Sequence, residues 1–233
     1  MVVHLATHRL TRMHYEAGLL PQNGDVLDIG QVEWSGSAAG LLEDIIKYTQ
    51  GERHKELRSR LLVCAQNRDY FGIGKVYYDI FFSPKSYDAI DFHGTEEAMV
   101  IDLNYQINLN RKYDVVINNG TAEHVFNFCQ VFKNIHDLTK ENGVMIHESP
   151  FTGCINHGFF CIQPNLFFDL AAANGYEIIS VFVCSHEDGA LRQLQEPEGA
   201  QECVWPNTVL VAYLRKGPRE TEFVIPQQGK YAR

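Results

Sequence analysis

The chain has 233 residues, 45% hydrophobic, 12% aromatic and 21% charged, which suits one domain with a sizeable core and excludes a disordered chain. A formal charge of -9 and a pI near 5.5 argue against a nonspecific grip on nucleic acid, which needs clustered Lys and Arg. The six cysteines, at 64, 129, 154, 161, 184 and 203, form no C-x-x-C pair, so buried reduced thiols and a cytoplasmic location are expected.

The opening MVVHLATHRLTRMHYEAG lacks the apolar core of a secretory signal, and His4, His8 and His14 are expected at the surface. No apolar stretch reaches the ~18 residues of a membrane span. Residues 25–30 read as the first strand. Residues 41–83 read as a helical insertion of one or two helices, with Tyr70, Phe71, Tyr77, Tyr78, Phe81 and Phe82 in the core rather than in a substrate cage. Strands follow at 87–91, 98–103 and 113–118. A helix after Asn127 places Val131, Ile135 and Leu138 on one face and is expected to stop at Asn142-Gly143. A fifth strand covers 143–147, and a helix runs from Pro164 to Asn174-Gly175. Strands at 177–184 and 208–214 flank a polar connection over 185–206, longer than an ordinary loop and so read as a lid, interface or insertion. One domain is expected over 1–217, with a loosely ordered tail over 218–233.

Strands that alternate with helices pair in parallel, giving an α/β fold. Ligands of such open sheets bind beyond the carboxyl ends of the strands, where strand order reverses. The first strand ends Val26-Leu27-Asp28-Ile29-Gly30, the second at Asp91, the third at Asp102-Leu103, and the fourth at Asn118-Asn119-Gly120 ahead of Glu123-His124. Together these ends resemble the class I S-adenosylmethionine-dependent methyltransferases, over about residues 24–184. The resemblance implies a Rossmann-like, doubly wound, mostly parallel seven-stranded sheet flanked by helices, with S-adenosyl-L-methionine as cofactor. The runs 119–128 and 156–160 are similar to methyltransferase-like proteins of glycan and natural-product biosynthesis.

By that resemblance Asp91 accepts hydrogen bonds from the ribose hydroxyls, Asp102 and Leu103 meet the adenine, and Gly30 lets the backbone approach the methionine portion. Asn119 and Gly120 complete the expected cofactor set, while Asp28 either joins it or steadies the first loop through backbone N–H groups. Where the family continues with further glycines, this chain reads Gly30-Gln31-Val32-Glu33-Trp34-Ser35-Gly36, and Gln31 is expected to lie near the methionine portion.

Methyl transfer to a hydroxyl gains from a base, and histidine titrates near neutrality. His157, shielded by Phe159 and Phe160, or His124 is expected in that role, with Glu123, His147, Glu148 and Asn156 contacting the acceptor. The spacing of His147, Glu148 and His157 matches no metal-site pattern, and no metal is expected. The expected reaction is O-methylation of a sugar, phosphorylated metabolite or similar small polar acceptor, with neither nucleic acid nor membrane as partner and a homodimer left open. The alternative is a noncatalytic binding protein of the same fold. A nicotinamide oxidoreductase is disfavoured, since no G-x-G-x-x-G follows the first strand.

Overall fold

The computed structural model describes residues 2–203 and 205–231. The first half runs β1 (Val2–Val3), α1 (Leu5–Glu16), β2 (Asp25–Ile29), β3 (Glu33–Trp34), α2 (Ala38–Tyr48), α3 (Gly51–Asn67), α4 (Tyr70–Phe81), β4 (Ser86–Ile90) and β5 (Ala98–Met99). The second runs β6 (Tyr113–Asn119), α5 (Phe128–Leu138), β7 (Thr139–Thr152), α6 (Asn165–Asn174), β8 (Glu177–Ser185), β9 (Leu191–Leu194) and β10 (Thr208–Arg215). One sheet takes the order β5-β4-β2-β6-β7-β10-β8-β9, and β1 pairs separately with β3. Neighbours from β5 through β7 are parallel, whereas β10 runs antiparallel to β7 and β8, and β9 antiparallel to β8.

Both faces of the sheet are covered, and successive strand residues divide between them. Val26, Val115, Ile117, Val144, Ile146 and Tyr213 pack with α1 and α4. Leu27, Ile29, Val116, Met145, Leu210 and Leu214 pack on the opposite face with α5 and α6. Helix starts follow from local chemistry: Ser37 Oγ accepts from Ala39 N at 3.1 Å ahead of α2, and Asp69 Oδ1 from Gly72 N at 2.8 Å ahead of α4. Pro164 precedes α6, and Gly175 ends it with a left-handed φ of 65°. The segment after Gly217 lies against α5 and α6, with Asn174 bonded to both backbone groups of Val224 and Gly229 N to Asp169.

Several expectations need correction. The sheet has eight strands rather than seven, because residues 191–194 add an edge strand to β8. Helix α5 ends at Leu138 rather than at Asn142-Gly143, since Thr139 Oγ1 bonds Ile135 O and its backbone already pairs with Tyr113. Residues 38–81 hold three helices, more than the one or two expected. Tyr77, Tyr78, Phe81 and Phe82 are core residues, but Tyr70 is half exposed and Phe71 lines a cavity. His8 and His14 are buried, not at the surface, because α1 lies on the sheet. His8 Nε2 meets Asp44 Oδ2 at 2.5 Å, and His14 bonds Ser180 Oγ at 2.8 Å while stacking on Tyr213. Of the six free cysteines, Cys184 and Cys203 are buried, whereas Cys129 and Cys161 are exposed. Among the described residues no helix is long and apolar enough to cross a membrane.

Candidate active site

Strand order reverses beside β2: the chain moves outward through β4 and β5, then returns to place β6 on the other side of β2. That reversal leaves a crevice above the carboxyl ends, where a ligand can enter between loops. Gly30 N donates to Ile90 O at 2.7 Å, so the ends of β2 and β4 are side by side as the strand-end reading requires. Gly30 adopts a φ of 90°, a conformation that side chains disfavour, and it leaves the crevice wall as bare backbone.

A first cavity of about 480 Å³ opens there, lined by Gly30, Gln31, Asp91, Asp102, Leu103 and His124 among others. Asp91 Oδ1 accepts from His93 N at 2.7 Å, and Asp102 Oδ1 accepts from Asn104 N at 2.9 Å. Each carboxylate is thereby held in place by its own loop. Gln31 is buried, with its amide engaged at both ends: Nε2 donates to Thr95 Oγ1 at 3.0 Å, and Oε1 accepts from Thr95 N at 2.7 Å. It straps the loop after β4 to the loop after β2.

A second cavity of about 570 Å³ lies on the far side of the turn over residues 119–125, lined by His4, Asn119, Gly120, Glu123, Glu148 and His157 among others. Asn118 Oδ1 accepts from Ala122 N at 3.0 Å and folds this turn back across the end of β6. Its result is that Thr121, His124 and Val125 face the first cavity while Glu123 faces the second. The loop over 156–160 hangs on Glu123, whose carbonyl accepts from Phe159 N at 2.8 Å. Gly158 is needed there, because a Cβ would lie 2.9 Å from that same oxygen.

The approach brings His157 Nε2 to 3.5 Å from Glu123 Oε1, and the His157 ring to 4.9 Å from the His124 ring. Glu123 Oε2 is buried without a hydrogen-bond partner among the described residues. Burial, with nearby Glu148 adding to it, pushes the Glu123 carboxyl up to about 8. Burial likewise raises Glu148 to about 7, against the bond it accepts from Thr7 Oγ1. His124 is lowered by burial and then by the neighbouring His157.

The expected site residues divide accordingly. Asn119 and Gly120 line the second cavity, not the first with Gly30, Asp91 and Asp102, because β6 runs past β2 and its end meets β7, where Gly120 N bonds Glu148 O. Asp28 lines neither: it is fully buried and accepts from Val32 N, Tyr78 Oη and Tyr87 Oη. His147 points to the opposite face from Glu148 and stacks on Phe132, so it lines neither of the two cavities. Asn156 is exposed with a φ of 62° and also lines neither cavity. His157 is half exposed and Phe159 is 66% exposed, so that ring does not shield it as expected. His186 was missed although it directly follows β8, a strand end of the kind searched; His4 carries no comparable signal.

These features define an α/β fold of the class I methyltransferase type. Among solved structures, the chain is similar to the 1,6-didemethyltoxoflavin-N1-methyltransferase of Burkholderia thailandensis, bound to 1,6-didemethyltoxoflavin and S-adenosylhomocysteine. That match has 13% identity and a TM-score of 0.51, covering 92% of this chain and 79% of the other. It is also similar to the N-methyltransferase NodS of Bradyrhizobium japonicum WM9 in complex with S-adenosylhomocysteine, at 10% identity and a TM-score of 0.48, covering 91% of this chain and 88% of that one. The first of these carries the fold assignment. No protein-family model matches the sequence, and no curated protein matches it.

Proposed function

We propose that the protein is an S-adenosyl-L-methionine-dependent methyltransferase that methylates a hydroxyl of a small polar acceptor, such as a sugar or phosphorylated metabolite. One observation carries this reading: two cavities flank the turn over 119–125, with His157 and the buried Glu123 carboxyl paired on the side of the second. The first cavity fits the cofactor, since its volume of about 480 Å³ suits a nucleoside-sized ligand and its wall includes bare backbone at Gly30. Asp91 and Asp102 offer carboxylates, which accept strongly from hydroxyl or amino groups. When bound, the cofactor supplies an electrophilic methyl on a sulfonium.

The chain's own contribution is alignment and proton handling. Asn119 and Asn207 line the second cavity with polar groups able to orient a hydroxylated acceptor. His157 accepts the acceptor's proton, and Glu123 Oε1, 3.5 Å from its Nε2, lies beside the resulting imidazolium as an oxygen acceptor. Holding acceptor and base in register supplies much of the remaining rate.

The test is incubation of the protein with S-adenosylmethionine and a panel of sugars, sugar phosphates and other small hydroxylated compounds, followed by mass spectrometry. Gain of one CH₂ unit on a hydroxyl, with release of S-adenosylhomocysteine, is expected. Tight binding of S-adenosylhomocysteine without transfer to any member of a broad panel supports the noncatalytic alternative instead.

A further inference from the structure

Two histidines not used in methyl transfer converge on Glu148. His4 precedes α1, His186 follows β8, and both line the second cavity with Glu148. One ligand atom from each of the three side chains lies within 4.8 Å of the other two. His4 Nε2 is 3.9 Å from Glu148 Oε1, and the His4 and His186 ring centroids are 4.4 Å apart. The other carboxylate oxygen, Oε2, accepts from Thr7 Oγ1 on α1, so Glu148 is held with Oε1 toward the imidazoles.

The segments carrying the histidines are tied down independently of this contact. Arg9 Nη1 donates to Gly189 O at 2.9 Å, joining α1 to the turn between β8 and β9. His186 N donates to Asn207 O at 3.0 Å, anchoring that turn beside β10. A simple ion pair does not account for the arrangement, because 3.9 Å exceeds the ~2.7–2.9 Å of a charge-assisted hydrogen bond. A cation shared by both imidazoles and the carboxylate fits that spacing.

We propose that His4, Glu148 and His186 bind one divalent transition-metal ion, of the Zn²⁺, Co²⁺ or Mn²⁺ type, at the wall of the second cavity. Two imidazoles and a carboxylate are a donor set suited to such ions, and three protein ligands leave coordination positions open. Thr7 is the outer partner that orients the ligating carboxylate. The open positions face the space lined by Asn119, Ser149 and His157, where an acceptor oxygen can bind and become more acidic. This last role rests on the methyl-transfer reading; the metal binding does not.

The rival trio is Glu123, His124 and His157, whose ligand atoms also lie within 4.8 Å of one another. It is the weaker donor set. His124 faces the first cavity, and Glu123 Oε2 has no outer partner among the described residues to orient it.

The test is titration of the untagged, chelator-stripped full chain with Co²⁺, followed by visible absorbance and calorimetry. One ion per chain is expected. His186→Ala and Glu148→Gln should each weaken binding by about 100-fold or more, and Thr7→Val by about 10-fold, the scale of an outer-partner loss. His54→Ala on α3 should leave affinity unchanged. His186 is exposed, so its substitution leaves the core intact, and circular dichroism of the metal-free variants verifies folding. Absence of saturable Co²⁺ binding overturns the proposal, as does binding retained in His186→Ala but lost in His157→Ala. S-adenosylhomocysteine affinity measured on the same metal-free sample distinguishes failure of the metal site from failure of the methyltransferase reading.

Discussion

At the end of β4, Asp91 has Oδ1 taken by His93 N, while Oδ2 has no hydrogen-bond partner among the described residues and belongs to a cavity-lining side chain. A diol docking on that oxygen gains a charged acceptor, worth roughly 1.5–3 kcal/mol. Asp91→Ala should therefore weaken S-adenosylhomocysteine binding by about 10- to 150-fold in calorimetry, and unchanged affinity in a folded variant would reassign the ribose partner. The proposed base is His157, with His124 as its rival. His157→Gln keeps size and some hydrogen bonding but removes basicity, so kcat should fall by about 10²-fold or more while S-adenosylhomocysteine affinity stays constant. His124→Gln is the comparison: if it alone abolishes turnover, the proton passes through the side of the turn that faces the first cavity.

Elements, rather than single residues, explain what could and could not be read ahead of the structure. The ends of β2, β4 and β6 were legible because buried parallel strands read as short apolar runs and stop at Gly30, Asp91 and Asn118-Asn119. Strand β9 was hidden inside a polar stretch, yet Asp188-Gly189 is a hairpin signal, and Gly189 has the positive φ such a turn needs. Helix α1 was not legible as a buried element, because His8 and His14 occupy core positions where the distant Asp44 and Ser180 satisfy a ring nitrogen of each. The pairing of His157 with Glu123 was likewise unreadable, since it depends on a loop hung, through Phe159 N, from a carbonyl 36 positions earlier in the chain, not on any local pattern. That loop makes its own prediction. Gly158→Ala puts a Cβ 2.9 Å from Glu123 O and 3.1 Å from its Cγ, which displaces the 156–160 segment. Turnover should drop by about 10-fold or more with cofactor affinity retained, because a shift of about 1 Å at the base is costly while the first cavity is untouched. Equal loss of both functions in calorimetry and kinetics would show that the loop supports the whole crevice.

For the molecule as a whole, Asp28 ties β2 to α4 and to its sheet neighbour β4 through one buried carboxylate. From β2 its Oδ2 accepts from Val32 N at 3.0 Å, Tyr78 Oη on α4 at 3.2 Å and Tyr87 Oη on β4 at 3.0 Å, while Oδ1 is buried without a partner among the described residues. Burial outweighs the three donors and raises the carboxyl from 3.8 to about 7. The native state therefore keeps a proton that the unfolded chain has already released across that interval. Stability from the neutral Asp28 is fully present below the unfolded value and is lost as pH rises through the folded one, at up to about 1.4 kcal/mol per pH unit. Buried His14 and His147 act in the opposite direction, since burial lowers both and their native forms resist protonation. Comparison with Asp28→Asn, which is neutral at every pH and similar in shape, cancels the histidine contribution. Denaturant unfolding should show the stability of the wild type relative to the variant falling by about 2 kcal/mol between pH 5 and pH 7, then levelling off above about pH 8. A difference that is constant across that range would mean Asp28 is ionised in the native fold throughout, with the two tyrosines and Val32 N outweighing its burial.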